Sequence, residues 1–208
     1  MNKVFYALIV CASIAVGALS FNYFSAALPS PEHALYYQTP RELNAFTFID
    51  EQGESFTKAQ FKNKWSMVFL GYTSCPDVCP TTLQNLNFIY EDLITIAHNS
   101  QVIFVSADPK RDSVEKLSQY IAYFNTNFKA LRAEHDVLFP FSRNLGLMYA
   151  ITGDSYEDYG VDHSSSIILI NPEGQVAASF KPEHSPGTIP VINNDKLLSD
   201  FQKIVALY

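Results

Sequence analysis

Basic residues are scarce in this chain: Lys and Arg number 14 against 21 Asp and Glu, for a net charge of −7. A nucleic-acid-binding surface needs clustered cations to displace counterions, so a nucleic-acid partner is excluded. Acidic residues are missing before Glu32, and after Lys3 no Lys or Arg occurs until Arg41. Cysteine is nearly absent, with three in 208 residues, too few for a disulfide framework. Internal repeats and low-complexity segments are also absent. What remains is ordinary globular composition, enough for one domain of about 175 residues with its own core.

The charge-free N-terminus has an apolar run. Residues 4–21 are apolar except for Ser13 and Ser20, with Lys3 and the amino terminus before them. A run of this length matches the roughly 20 residues that cross a bilayer, and the preceding charge places the N-terminus in the cytoplasm and the rest outside. A cleaved signal peptide ending near Ala18-Leu19-Ser20 is the competing expectation. Either way the domain is exported: to the periplasm, in the reading of a single-pass bacterial inner-membrane protein. Cys11 lies in the run after Ile9 and Val10, which are too large for a lipidation site, so it reads as apolar filler. The expected organisation is an anchor or signal over residues 1–24, a tether over 25–43 containing three prolines and no apolar period, and a folded domain over 44–208.

Within the domain, strands and helices alternate. A small hairpin is expected across 45–54 and a helical turn at 57–62. Residues 65–70 and 101–107 read as buried strands, with an amphipathic helix over 82–97 between them. Ser113 is placed to cap a helix running to about 124. A strand at 128–133, a helix at 137–147, a short strand around Tyr149 and a polar turn over 153–159 follow. A strand at 164–170 turns through 171–174 into 175–180, a proline loop spans 182–190, and a helix over 194–207 closes the chain. This order predicts an α/β fold, a central mixed sheet with helices on both faces.

The only cysteines past the apolar run, Cys75 and Cys79, fall in the turn-rich stretch between the first buried strand and its helix. That is the carboxyl edge of the sheet, where α/β ligands collect. A disulfide across so few residues adds little stability, so the pair is chemical. A thiolate near a helix N-terminus is favoured by backbone N–H groups and the dipole, and one helical turn lets both sulfurs face one point. Thiolates serve soft or borderline metals or disulfide exchange, and spacing does not choose between them. Asp77, lying between them, opposes thiolate formation by charge and favours a bound cation. His163, at the entrance of the strand 164–170, reaches the same edge if that strand neighbours 65–70. Two thiolates and an imidazole are too few for a closed zinc site and suit copper in either oxidation state. The same residue alone reads as structural, as do His33, His98, His135 and His184 at tether, helix-end, helix-start and loop positions.

With those residues in view, the chain resembles the Sco/SenC family of copper proteins of respiratory membranes from about Phe46 onward. The resemblance rests on Gly71-Tyr72-Thr73-Ser74-Cys75-Pro76-Asp77-Val78-Cys79-Pro80-Thr81-Thr82, Ser106-Ala107-Asp108-Pro109-Lys110-Arg111-Asp112-Ser113, Val161-Asp162-His163-Ser164 and Leu169-Ile170-Asn171-Pro172-Glu173-Gly174. It implies a thioredoxin-like fold on an N-terminal membrane anchor, with one copper ion, Cu(I) or Cu(II), held by Cys75, Cys79 and His163. It further implies a role in maturing the dinuclear copper site of cytochrome c oxidase subunit II, by copper delivery, by reduction of that site's cysteines, or by both. A further periplasmic copper chaperone or thiol reductant is an implied partner. Asp162 would shape the site or face the partner. Asp108, Arg111 and Asp112 match a family signature and equally well a turn and cap fixed by local ion pairs. Ser74 departs from a histidine common at its position, and residues 182–194 are longer and richer in proline than the family pattern.

Three other functions fit parts of the pattern. A metal-independent thiol–disulfide oxidoreductase would use Cys75 and Cys79 but give His163 no part, and it would have two intervening residues rather than three. A peroxiredoxin-type peroxidase would have a threonine where Tyr72 stands. A copper or redox sensor would use the same three ligands. Metallochaperone rather than enzyme is the expectation, with thiol–disulfide reductase activity left open.

Overall fold

A computed structural model describes residues 2–24, 30–153, 159–183, 185 and 187–208. Its elements, in chain order, are α1 (Asn2–Phe24), β1 (Leu35–Glu42), β2 (Thr47–Asp50), β3 (Ser55–Thr57), β4 (Trp65–Gly71), α2 (Val78–Phe88), α3 (Tyr90–Ile96) and β5 (Ser100–Ser106). There follow α4 (Val114–Phe124), β6 (Lys129–Arg132), α5 (His135–Leu145), β7 (Tyr149–Thr152), β8 (Gly160–His163), β9 (Ile167–Ile170), β10 (Gln175–Phe180) and α6 (Asn194–Ala206). A short 3-10 turn over Lys58–Phe61 is closed by a reciprocal capping box between Thr57 and Gln60.

Eight strands form one sheet in the order β1-β10-β9-β4-β5-β6-β2-β3, and β7 pairs only with β8. The pairs β4–β5 and β5–β6 are parallel, and the others in the sheet are antiparallel. Every residue of β4 and β5 is buried, as strands covered on both faces require. This is the mixed sheet with flanking helices that the order of apolar runs predicts. Ser113 caps α4 by accepting from the Lys116 N–H, as expected.

Three local expectations change. The stretch read as tether contributes β1, an edge strand paired to β10. It is half-buried and carries Pro40, which an edge strand tolerates, so no apolar period marked it. The helix expected at 82–97 starts earlier, at Val78, because a proline in the first helical turn forfeits no hydrogen bond, and it breaks at Ile89 into α2 and α3. The strand after His163 begins at Ile167 rather than at 164. α1 covers the apolar run of the N-terminus. Over the described residues no helix is long and apolar enough to cross a membrane. His184 and residues 154–158 of the expected polar turn lie outside the described residues.

The start of the folded part is fixed by a buried carboxylate. Asp200, fully buried on α6, accepts the backbone N–H groups of Glu32, His33 and Ala34 at 2.5–3.0 Å. Burial pushes its pKa up, but the three donors outweigh this and hold it below the usual carboxylate value. A lowered pKa contributes stability that is present above the unfolded value and lost as pH falls through the folded one. Asp200→Ala is expected to cost about 2–4 kcal/mol at pH 7. The gap from wild type should shrink once the pH drops below the unfolded carboxylate value, about 3.9. Urea unfolding of both proteins at pH 7 and pH 3 checks this.

Candidate metal centre

The site is built where β4 runs out. Gly71 ends the strand, and its missing side chain lets the next helix pack close: a Cβ there would lie 2.7 Å from both Cys79 Sγ and Phe104 Cε2. Residues 72–77 turn the chain, with the Cys75 N–H donating to the Tyr72 carbonyl at 3.2 Å. The first turn of α2 then carries Cys79 into the core, fully buried, while Cys75 on the loop stays half-buried. The Cys79 N–H donates to Cys75 Sγ at 3.4 Å, which is the helix N-terminus holding a thiolate.

His163 arrives from the other side. β9 is the antiparallel neighbour of β4, with Phe69 opposite Ile167. The chain entering β9 therefore starts at the edge where β4 ends, which is the condition the sequence left open. His163 is the last residue of β8, in the separate two-stranded ribbon, and pairs with Tyr149. Its Nε2 lies 3.3 Å from Cys79 Sγ, and its Nδ1 lies 3.2 Å from the Ser164 carbonyl. A carbonyl only accepts, so that contact puts the ring proton on Nδ1 and turns the Nε2 lone pair to the cysteines. Phe69 and Tyr72 meet the imidazole edge-on, with ring centres at 6.1 and 5.9 Å.

The three donor atoms lie within 4.8 Å of one another, the one such group of His, Cys, Asp or Glu side chains among the described residues. The cysteines titrate as a coupled pair. The proton retained by Cys79, with help from the backbone N–H groups of Cys79 and Asp77, outweighs partial burial and lowers the Cys75 pKa to about 4. Cys79 moves the other way, raised by the neighbouring Cys75 sulfur and by its own burial. The expectation that Asp77 opposes the thiolate is corrected: its side chain is exposed, and it acts through its backbone N–H. In the reduced, metal-free protein, iodoacetamide should therefore modify Cys75 well before Cys79. Its rate should stay nearly level between pH 8 and pH 6, where an ordinary thiol slows by about a hundredfold. Peptide mapping, which separates Cys11 from the pair, reads this directly.

The other histidines among the described residues stay apart from the group. The His33 N–H binds Asp200, His98 is exposed just past the end of α3, and His135 stacks on Tyr149 with Nδ1 2.8 Å from its hydroxyl. Ser74 is exposed and its Oγ accepts from Lys116 Nζ at 3.3 Å. Three residues around the site were given no role there from sequence. Tyr72 packs on the imidazole, and Thr73 is held by Asp112 through its N–H at 3.1 Å and its hydroxyl at 2.5 Å. Tyr159 sits just ahead of β8. Tyr72 and Thr73 carried a signal as part of the 71–82 motif, and Asp112 as part of the 106–113 motif; Tyr159 carried none.

Comparison with known proteins places this arrangement. The SCO1/SenC family model matches residues 36–192. A SCO2-like protein of Rickettsia felis is 31% identical over 196 residues, covering 90% of this chain and 94% of that protein. Apo Sco1 from Thermus thermophilus, solved in solution, superposes with a TM-score of 0.71 at 28% identity, covering 88% of this chain and 100% of that one. Arabidopsis thaliana ScoI, crystallised with copper bound, superposes with a TM-score of 0.70 at 25% identity, covering 79% and 98%. The fold is thus the thioredoxin-like one of the Sco structures.

Proposed function

This chain belongs to the SCO1/SenC family, and from that premise we propose that it is a copper metallochaperone for cytochrome c oxidase assembly, holding one copper ion on Cys75, Cys79 and His163. The observation that carries this is the convergence of two sulfurs and one imidazole nitrogen within 4.8 Å at a half-open sheet edge. The donor set fits the cargo: thiolates favour soft ions such as Cu(I), and imidazole serves copper in both oxidation states. Three ligands leave one side open, where an acceptor's ligands can enter before these leave. Cys75 meets the ion as a thiolate, Cys79 must release its proton to ligate, and His163 presents Nε2 with its tautomer fixed by Ser164.

The acceptor proposed is the copper site of cytochrome c oxidase subunit II, with loading by another periplasmic copper chaperone. Anchoring in the bacterial inner membrane, with the N-terminus in the cytoplasm and the domain in the periplasm, is supported by the apolar sequence of residues 4–21 and the charge before it. Asp162, exposed beside His163, is placed to face the partner.

A second reading, reduction of the acceptor's cysteines, is favoured by the acidic Cys75. Its thiolate would attack a partner disulfide and release one partner thiolate. Cys79, after losing its proton, would then displace the other, leaving a Cys75–Cys79 disulfide and two reduced partner thiols.

One experiment separates the two. Copper-loaded protein is mixed with the metal-free soluble domain of subunit II, once with that domain reduced and once with it oxidised. Appearance of the acceptor's copper absorption with the reduced domain is the outcome expected for delivery. Thiol release from the oxidised domain by copper-free protein supports reduction. Neither event, with a protein that binds copper, would remove this function.

A further inference from the structure

His163 reaches the cysteines from a ribbon that is not part of the main sheet, so the sheet's hydrogen bonds do not set its position. One side chain bridges that ribbon to the sheet. Arg111, on the loop after β5, pairs through Nε with the carboxylate of Asp108, which is buried. Its Nη1 donates to the Tyr159 carbonyl at 2.9 Å, and its guanidinium carbon lies 3.8 Å from the centre of the Tyr159 ring. The Tyr159 hydroxyl closes the circuit by donating to Asp108 Oδ1 at 2.7 Å. Asp108 is itself tied to the end of β5, its N–H donating to Ser106 Oγ at 3.1 Å.

Tyr159 immediately precedes β8, the four-residue strand that ends in His163. On its other side the same guanidinium lies 5.8 Å from the Tyr72 ring, which packs edge-on against His163. Arg111 thus touches both the start of the histidine's strand and the ring that backs the histidine. Its Nη2 is buried and has no hydrogen-bond partner among the described residues.

We propose that Asp108, Arg111 and Tyr159 form a clamp that positions His163, fixing where β8 begins and so whether the imidazole reaches the Cys75–Cys79 pair. They are positioning residues and hold no metal. The copper arm of the test rests on the function proposed above, and the metal-free arm does not. Arg111→Lys keeps the charge but loses the planar fork and the stack, and Tyr159→Phe loses only the hydroxyl.

The test compares Arg111→Lys and Tyr159→Phe with wild type in two states. In the metal-free protein, the NMR resonances of the His163 ring are read. In the Cu(II)-loaded protein, nitrogen coupling in the electron paramagnetic resonance spectrum and copper affinity are read. Arg111→Lys is expected to shift the ring resonances, remove the nitrogen coupling and weaken copper by about 10–100-fold, the usual effect of losing support behind a metal-binding histidine. Tyr159→Phe should move the same readouts in the same direction by less. Leu197→Ala, a core change on α6 that lowers the melting temperature, should leave both signatures as in wild type. Wild-type resonances and coupling in folded Arg111→Lys overturn the clamp, as does an equal change in Leu197→Ala. If Arg111→Lys does not fold, an unchanged Tyr159→Phe overturns it. If wild type binds no copper, the function proposed above fails and the ring resonances still decide the clamp.

Discussion

His163→Ala is expected to lower copper affinity by more than about 100-fold, because loss of support behind a ligating histidine already costs about 10–100-fold and here the ligand itself is gone. The Nε2 atom supplies the one nitrogen donor, 3.3 Å from Cys79 Sγ, and no other histidine among the described residues lies in the group. Cys75→Ser and Cys79→Ser should be at least as damaging, since a hydroxyl is a poor ligand for a soft ion. The three losses should not add: with any one donor removed, the other two form only a bidentate site. Folding should survive, because His163 is half-buried on a ribbon outside the main sheet. Equilibrium titration with a competing copper chelator measures the change, and a melting curve of each metal-free variant establishes that it is folded. Equal affinity in wild type and His163→Ala would take the histidine out of the site. It would leave a two-thiol protein better suited to disulfide exchange.

Asp112→Ala should produce the largest loss of stability. The Asp112 side chain is fully buried. Its Oδ2 accepts the Thr73 N–H at 3.1 Å and the Ser106 hydroxyl at 2.6 Å, its Oδ1 accepts the Thr73 hydroxyl at 2.5 Å, and Lys116 Nζ lies 3.5 Å away. One carboxylate therefore ties the cysteine loop to the end of β5 and to α4. Removing it leaves three donors without a charged acceptor, one of them the fully buried Ser106 hydroxyl, and the expected cost is about 3–5 kcal/mol. For a domain of this size that is a fall of about 8–15 °C in melting temperature. Asp112→Asn keeps one acceptor oxygen and should cost less. Calorimetry on the metal-free proteins reads both. Copper affinity should fall with them, because Thr73 stands two residues ahead of Cys75.

The parts of this molecule that could be read from residues are those where local pattern and tertiary structure agree. β4, β5 and β9 are short apolar runs buried on both faces. Ser113 announces α4, and Asn171 to Gly174 announce the turn into β10, with Gly174 in the left-handed conformation (φ 74°) that the turn requires. The cysteine pair was legible because so few cysteines exist to choose from. What escaped depends on contacts distant in sequence. β1 is a strand because β10 offers it a partner, and Asp200 gathers three N–H groups more than 160 residues away. The break at Ile89 follows from a backbone near φ −99°, ψ 8° with no glycine or proline to mark it. His163 reads as the entrance to β9 because its own ribbon has only four residues per strand, too short for alternation to register. The 106–113 motif looked equally like a turn held by local charges. Asp108, Arg111 and Asp112 do pair locally, but each also reaches an element that sequence distance hides: Tyr159, Tyr72 or Thr73.

The contacts of the 106–113 motif, the cysteine loop and the β7–β8 ribbon meet at the end of β4. A rigid strand ends in Gly71, a helix start brings one buried and one half-buried sulfur, and a separately braced ribbon supplies a nitrogen with its tautomer set. The result is a half-open site that can bind a soft ion and give it up. Copper X-ray absorption on the protein loaded with one equivalent of Cu(I) tests this most directly. The expected first coordination sphere contains two sulfurs and one imidazole nitrogen, with the nitrogen lost in His163→Ala. A sphere of oxygen and nitrogen without sulfur, or one unchanged by His163→Ala, would contradict it.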